Sequence, residues 1–166
     1  MDEVLIHPNA ALKQRASEVD PTTDAELREL CGRMAKAMYD APGIGFAATQ
    51  IGVMKRVIVY DLDDERGLVA LCNPRIVSTS DEVVVDEEGC LSLPGITVNV
   101  ERAFHVTCEA ETLKGSTVTF DAEDLHARLL QHEIDHLDGV LIIDRADAEE
   151  RKAALRRYMD LVTAPR

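Results

Sequence analysis

Tryptophan is absent from the chain, and aromatic residues of all kinds make up 4% of its 166 residues, so the core is expected to be aliphatic. No apolar run approaches the ~20 residues of a membrane-spanning helix, and no membrane partner is expected. The four cysteines, at 31, 72, 90 and 108, make neither a CxxC pair nor a dense framework. Such thiols are expected to be free or metal-bound rather than disulfide-linked. Basic residues are few: 18 Lys and Arg stand against 31 Asp and Glu, a net charge of −13. A field of that sign repels phosphates, which disfavours DNA and any general RNA ligand. The opening Met1-Asp2-Glu3-Val4-Leu5-Ile6-His7-Pro8 lacks the basic start and apolar stretch of a secretion signal and the arginines of a transit peptide. A cytoplasmic protein is the expectation.

The apolar fraction, 46%, and the charged fraction, 30%, are ordinary for a globular chain, and the length suits one domain over residues 1–166. Thr23-Asp24-Ala25-Glu26 reads as a capping box. Leu27, Leu30, Cys31, Met34 and Met38 follow at helical spacing, and Pro42-Gly43 ends the run. Short β-rich runs come next, at 57–60, 69–72, 83–85, 105–108 and 117–120. Turn residues separate them at Asp63-Asp64, Asn73-Pro74, Pro94-Gly95 and Lys114-Gly115. Spacings this short favour antiparallel pairing. A second helix is expected from 122–124 to about 137, closed by Gly139. A third is expected over about 147–162, with Leu155, Tyr158, Met159 and Val162 as its buried stripe. The fold class is α+β: small antiparallel sheets around a central metal-binding helix, with an N-terminal and a C-terminal helix.

The second helix carries His132-Glu133-Ile134-Asp135-His136, an HExxH pattern. Residues four apart on a helix share a face, so two imidazoles there can grip one ion. The glutamate beside the first histidine can take a proton from a water on that ion. Leu125, Leu129 and Leu130 make the upstream face aliphatic, so the helix is expected inside the molecule. Buried ionisable groups need partners, and a metal ion supplies one. Asp135 and Asp138 point off the ligand face, as solvent-facing groups or as supports behind the ligands.

A catalytic site of this kind needs a third protein ligand. His7, His105 and His126 are candidates, but each reads as an ordinary histidine. Cys90 is better placed, in Glu87-Glu88-Gly89-Cys90-Leu91-Ser92-Leu93-Pro94-Gly95. Gly89 permits close backbone approach, and Pro94-Gly95 forces a turn. The alternative is that Cys90 is a small buried hydrophobe, the reading given to Cys31, Cys72 and Cys108. Gly43-Ile44-Gly45-Phe46-Ala47-Ala48-Thr49-Gln50 follows the first helix and lacks the Gly-Lys-Ser/Thr of a phosphate loop. Its small residues suit close approach to a peptide-like ligand, and the Gln50 amide can donate to a developing oxyanion. A tight turn with packing is the plainer alternative.

These three segments, in this order, resemble the signatures of peptide deformylases: a GxGxAAxQ loop, an EGCLS segment and a QHExDH helix. They read here as Gly43 to Gln50, Glu88-Gly89-Cys90-Leu91-Ser92, and Gln131-His132-Glu133-Ile134-Asp135-His136. The resemblance spans nearly the whole chain and matches the bacterial-type subgroup that ends in a helix. Phe46 stands where Leu is commoner, and Ala103 where Pro often follows the Arg. The resemblance implies Cys90, His132 and His136 as ligands of one divalent ion, natively Fe(II), with Zn(II), Ni(II) or Co(II) able to replace it. It implies Glu133 as general base and then acid, and the Gln50 side chain and Leu91 N–H as oxyanion donors. The implied reaction removes the formyl group from N-formylmethionyl peptides by attack of a metal-bound hydroxide.

The first side chain of that substrate is unbranched Met, and Ile44, Leu125 and Leu129 are the expected pocket, with Gly45 and Gly89 lining the approach. The alternative activity is that of an HExxH metallo-endopeptidase. Arg151, Lys152, Arg156 and Arg157 form a basic cluster on the last helix, read as a solvated face or as a ribosome contact. Glu88 is expected to pair with Arg102 beneath the Cys90 loop.

Overall fold

The computed structural model describes residues 2–164. Helix α1 spans Leu27–Asp40 and buries Leu27, Leu30, Cys31, Met34, Ala35 and Met38, the stripe its spacing predicts. It starts three residues later than expected, with Glu26 and not Thr23 at the N-cap, and the capping box at Thr23 does not form. Asp20 instead accepts from the Thr22 N–H at 2.9 Å, and Asp24 from the Glu26 N–H at 3.1 Å. These short acidic side chains make local turns in place of the first helical turn.

Seven strands follow: β1 Gly45–Ala47, β2 Val57–Asp61, β3 Leu68–Thr79, β4 Val83–Gly89, β5 Thr97–Ala103, β6 His105–Glu111 and β7 Thr117–Glu123. Five of them form one antiparallel sheet in the order β1-β2-β3-β6-β7. Strands β4 and β5 form a separate antiparallel hairpin, closed by the turn at Pro94-Gly95. Asn73-Pro74 is no turn. Strand β3 runs through it, with a register shift between Cys72 and Arg75. A bulge is where a strand tolerates proline. Asn73 adopts φ 49°, and its side chain joins both the N–H and the C=O of Val19, tying the N-terminal segment to the sheet. The sequence pattern did not predict β1 and β5. In β5 the buried residues Val98, Val100 and Arg102 alternate with exposed polar ones, and Arg102 breaks the apolar pattern.

Helix α2, Asp124–Leu137, ends where Gly139 takes φ 75°. A Cβ at Gly139 would sit 2.5 Å from the Lys13 carbonyl oxygen, so this turn needs glycine twice over. A short helix α3, Ile142–Arg145, precedes α4, Ala148–Thr163, whose N-cap Asp147 accepts from the Glu150 N–H at 2.8 Å.

Helix α2 packs its buried Ala127, Leu129, Leu130, Ile134 and Leu137 against Ile58, Leu71, Val106 and Cys108 of the large sheet. A second cluster joins the β4–β5 hairpin, through Val98 and Val100, to α3 and α4. A third sets α1 on β2, with Phe46 fully buried inside it. The sheet and the hairpin therefore grip α2 from different sides. The predicted stripe of α4 is a partial miss. Ala154 and Tyr158 are buried, but Met159 and Val162 are exposed, because the helix touches the body along a single narrow line.

Candidate metal centre and cleft

The turn after β4 brings Cys90 to the middle of α2. Ligand atoms of Cys90, His132 and His136 all lie within 4.8 Å of one another, and Cys90 Sγ is 3.3 Å from His136 Nε2. Of the three histidines weighed as a third ligand, none joins the cluster. His126 is buried between Tyr60 and Phe120, His7 lies against Tyr158, and His105 sits in β6. Cys31, Cys72 and Cys108 are buried in the core.

The three groups fit a divalent cation on several counts. Sulfur and imidazole nitrogen at this separation match the ligand set and span of a tetrahedral site with one position open. His132 Nδ1 is engaged by Glu88 Oε1 at 2.8 Å, so Nε2 is the atom left for the cluster. Burial would raise the Cys90 thiol, yet the His136 and His132 imidazoles outweigh it and hold Cys90 well below its ordinary range. A thiolate is the form that binds metal.

Glu133 is buried, with Oε2 4.0 Å from His132 Nε2 and with Oε1 lacking any hydrogen-bond partner among the described residues. Burial pushes its carboxyl up, against the lowering effect of the two imidazoles. Gly45 faces it from β1. A Cβ at position 45 would fall 2.6 Å from Glu133 Oε2 and 3.1 Å from its Cδ, so the carboxylate occupies the space of the missing side chain.

Gln50 lies in the 3₁₀ turn Ala48–Ile51 and is buried. Its Oε1 accepts from the Ala47 N–H at 3.0 Å, which fixes the amide so that Nε2 donates, at 3.2 Å, to Ser92 Oγ. One Nε2 hydrogen is left over. Among the described residues, the Leu91 N–H donates to no protein acceptor. Ser92, which orients Gln50, was not singled out from sequence, although it stands inside the EGCLS segment.

Behind the ligands lies a network of charges that periodicity does not reveal. Arg102 grips Glu88 with two bonds, Nε to Oε2 at 2.9 Å and Nη2 to Oε1 at 3.0 Å. The expected Glu88–Arg102 pair is therefore present, and it is larger than a pair. Arg102 Nη1 also donates to Asp135 at 2.6 Å, and Arg145 donates to both Asp135 oxygens. Arg128 adds a bond to Glu88 at 2.5 Å and reaches the carbonyls of Val100 and Val84, fastening the hairpin to α2. Asp135 is thus a buried support, while Asp138 lies on the surface beside Arg56. Burial would raise the Glu88 carboxyl, but the hydrogen bonds from His132 and Arg102 prevail and keep it well below the usual range.

A cleft of about 750 Å³ opens onto this cluster, lined among others by Ile44, Gly45, Gly89, Leu125 and Leu129. Leu129 is buried, whereas Ile44 is 47% and Leu125 52% exposed. The expectation that Leu125 is interior is corrected: it stands at the cleft's rim. Gly89 ends β4, and a Cβ there would make only ordinary contacts.

A mixed fold that carries a Cys-His-His cluster with a buried glutamate at the foot of an apolar cleft defines a class, the metal-dependent hydrolases. Residues 1–152 match the model of the polypeptide deformylase family. A peptide deformylase of Rhizobium meliloti (strain 1021) is 44% identical over 158 residues, covering 93% of this chain and 90% of that protein. One of Phenylobacterium zucineum (strain HLK1) is 45% identical, covering 93% of each. Among solved structures, a peptide deformylase from Legionella pneumophila superposes with a TM-score of 0.90 at 37% identity over 99% of both chains. That from Thermotoga maritima gives 0.84 at 39% identity, over 89% of this chain and 98% of that one. The chain belongs to the polypeptide deformylase family, enzymes that remove the formyl group from nascent peptides.

Proposed function

We propose that residues 1–166 act as one catalytic unit that hydrolyses the formyl amide of N-formylmethionyl peptides. The observation that carries this reading is the convergence of Cys90, His132 and His136 beside an unpartnered Glu133 oxygen. Those three residues hold one divalent ion; the soft thiolate suits Fe(II), Zn(II) or Co(II) alike, and the family resemblance is what favours Fe(II) as the native ion, with Zn(II), Ni(II) or Co(II) as substitutes. A cation there would acidify a water and draw electrons from the formyl oxygen.

Glu133 takes the proton of the attacking water through its free oxygen. Its raised affinity for protons, a result of burial, suits that task. It then returns the proton to the departing amine nitrogen. Charge growing on the formyl oxygen is met by the spare Gln50 Nε2 hydrogen and by the Leu91 N–H. Ser92 and the Ala47 N–H keep Gln50 in that orientation.

The methionine side chain lies along Ile44, Leu125 and Leu129, covering the apolar surface that Ile44 and Leu125 expose. Gly45 and Gly89 let the substrate backbone approach. Formyl is expected to be selected by size, an acetyl methyl being expected to collide near the ligands; cleavage of N-acetyl-Met peptides as fast as formyl ones would overturn this.

We place the protein in the cytoplasm; no helix of the described residues is long and apolar enough to cross a membrane. The basic side of α4, Lys152, Arg156 and Arg157 with Arg151, is proposed to face the ribosome. Charge reversal at these four positions would then reduce ribosome pelleting.

Formyl release from formyl-Met-Ala-Ser by the metal-loaded protein, with an unblocked protein substrate beside it, tests the activity. Glu133→Ala should keep the metal and lose formyl release. Cleavage of the unblocked protein instead would make the chain an endopeptidase.

A further inference from the structure

A second groove, of about 710 Å³, shares no lining residue with the catalytic cleft. It lies between α1, strands β2 and β3, and the β6–β7 turn. Its floor is apolar: Cys31, Val59, Leu68 and Leu113, with Leu68 48% exposed. Two features of this floor and rim have no explanation within the fold.

The first is Gly32, in the middle of α1. Glycine is the residue a helix interior tolerates worst after proline. A Cβ at position 32 would meet no atom within 4 Å, so the chain's own packing does not require glycine there. A molecule lying against the helix backbone would. The second feature is the rim pair Arg28 and Lys114. Neither has a carboxylate within 4.0 Å among the described residues, in a chain with 31 acidic side chains. Apart from Lys152, Arg156 and Arg157 on α4, every other described Lys and Arg has one. Two free cations on the rim of one apolar groove call for an anion with an apolar body. A smaller hollow of about 210 Å³ also borders Arg28 and Leu113, which lengthens the depression and suits a linear ligand.

We propose that this groove binds a single-chain aliphatic carboxylate, a fatty-acid anion. The alkyl chain crosses Gly32 and Leu68, and the carboxylate is held by Arg28 and Lys114. An alkyl chain is thin enough to use the space a missing Cβ leaves, and its head group supplies the charge the rim lacks.

The test is calorimetric titration of the metal-loaded enzyme with dodecanoate below its micelle concentration. One saturable site is expected, and none for dodecyltrimethylammonium, which has the same chain and the opposite head. Gly32→Leu should abolish binding, and Arg28→Glu with Lys114→Glu should weaken it at least tenfold. Gly32→Ala should weaken binding yet raise the Tm of the unliganded enzyme by about 2–4 °C, since it improves the helix. Formyl release by these variants should match the parent. Undiminished binding to Gly32→Leu, or equal binding of the cationic analogue, overturns the proposal. Competition between dodecanoate and the formyl peptide also overturns it, by moving the site to the catalytic cleft. A lower Tm for Gly32→Ala would mean that the glycine serves the fold. A dimer that Gly32→Leu dissociates would mean that a second copy covers the groove.

Discussion

Glu88 Oε1 lies 2.8 Å from His132 Nδ1, and the same carboxylate is clasped by Arg102 and Arg128. One acidic side chain therefore ties a residue of the proposed metal cluster to the hairpin that carries Cys90. Its negative charge makes the His132 ring a better electron donor and holds it in one orientation. Glu88→Gln keeps the shape and removes the charge. Metal affinity, measured by competition with a chromophoric chelator, should fall about 10- to 100-fold. An unchanged affinity would mean that Glu88 only braces the hairpin.

Gly45 and Glu133 interlock in the same region, because the carboxylate fills the place of a Cβ. Gly45→Ala should displace the Glu133 carboxylate without unfolding the chain, since β1 is a short edge strand. The expected result is a fall in kcat of about 10²-fold or more, in the range for loss of a general base, with metal content intact. A drop in metal content equal to the loss of rate would place the damage at the ligands instead.

Spacing alone made α1, α2 and five strand runs legible, because each carries apolar residues at the period of its own backbone. It failed where side chains answer to distant partners. Arg102 interrupts the apolar alternation of β5 since its partners, Glu88 and Asp135, come from β4 and α2. Asn73-Pro74 looks like a turn, and only the pairing of β3 with β6 shows a bulge. The candidate ligands on α2 were readable because helical geometry places i and i+4 together. Cys90 is 42 residues from His132, and spacing carries no information across that gap. Its loop, with Gly89 before it and Pro94-Gly95 after it, made it a candidate, and the family resemblance decided between ligand and buried hydrophobe.

The Arg102 cluster carries a stability prediction. Arg102 is 5% exposed and faces two buried carboxylates. Arg102→Met leaves Glu88 and Asp135 without their shared cation, and breaking such a buried network costs about 3–5 kcal/mol. Adding Glu88→Gln should recover part of that loss, because one stranded charge is removed with its partner. Urea unfolding of the single and double variants measures both. Strict additivity would show that the two residues act independently.

The last prediction concerns acid. His126 is buried against Tyr60 and Phe120, and Arg66 contacts its Nδ1. Since the guanidinium can only donate, Nδ1 accepts, and Nε2–H donates to the Tyr60 hydroxyl at 3.1 Å. The neutral ring fits this environment and the charged ring does not. Burial, assisted by Arg66, lowers its pKa to about 4. The unfolded chain, with an ordinary histidine near 6.5, takes up a proton over that interval while the folded one does not. This contribution is complete above pH ~6.5 and is lost as pH falls towards 4, on the order of 2 kcal/mol. His7, whose pKa burial also lowers, adds in the same direction. Glu88, held below the usual carboxylate range, keeps its contribution until the pH falls below the ordinary carboxylate pKa of ~4.3, so its loss comes later in the acid range than the onset of the histidine loss. Urea midpoints at pH 7 and pH 5 should therefore differ in the parent and differ less in His126→Phe. Parallel slopes in the two proteins would show that the ring is protonated in the fold despite Arg66.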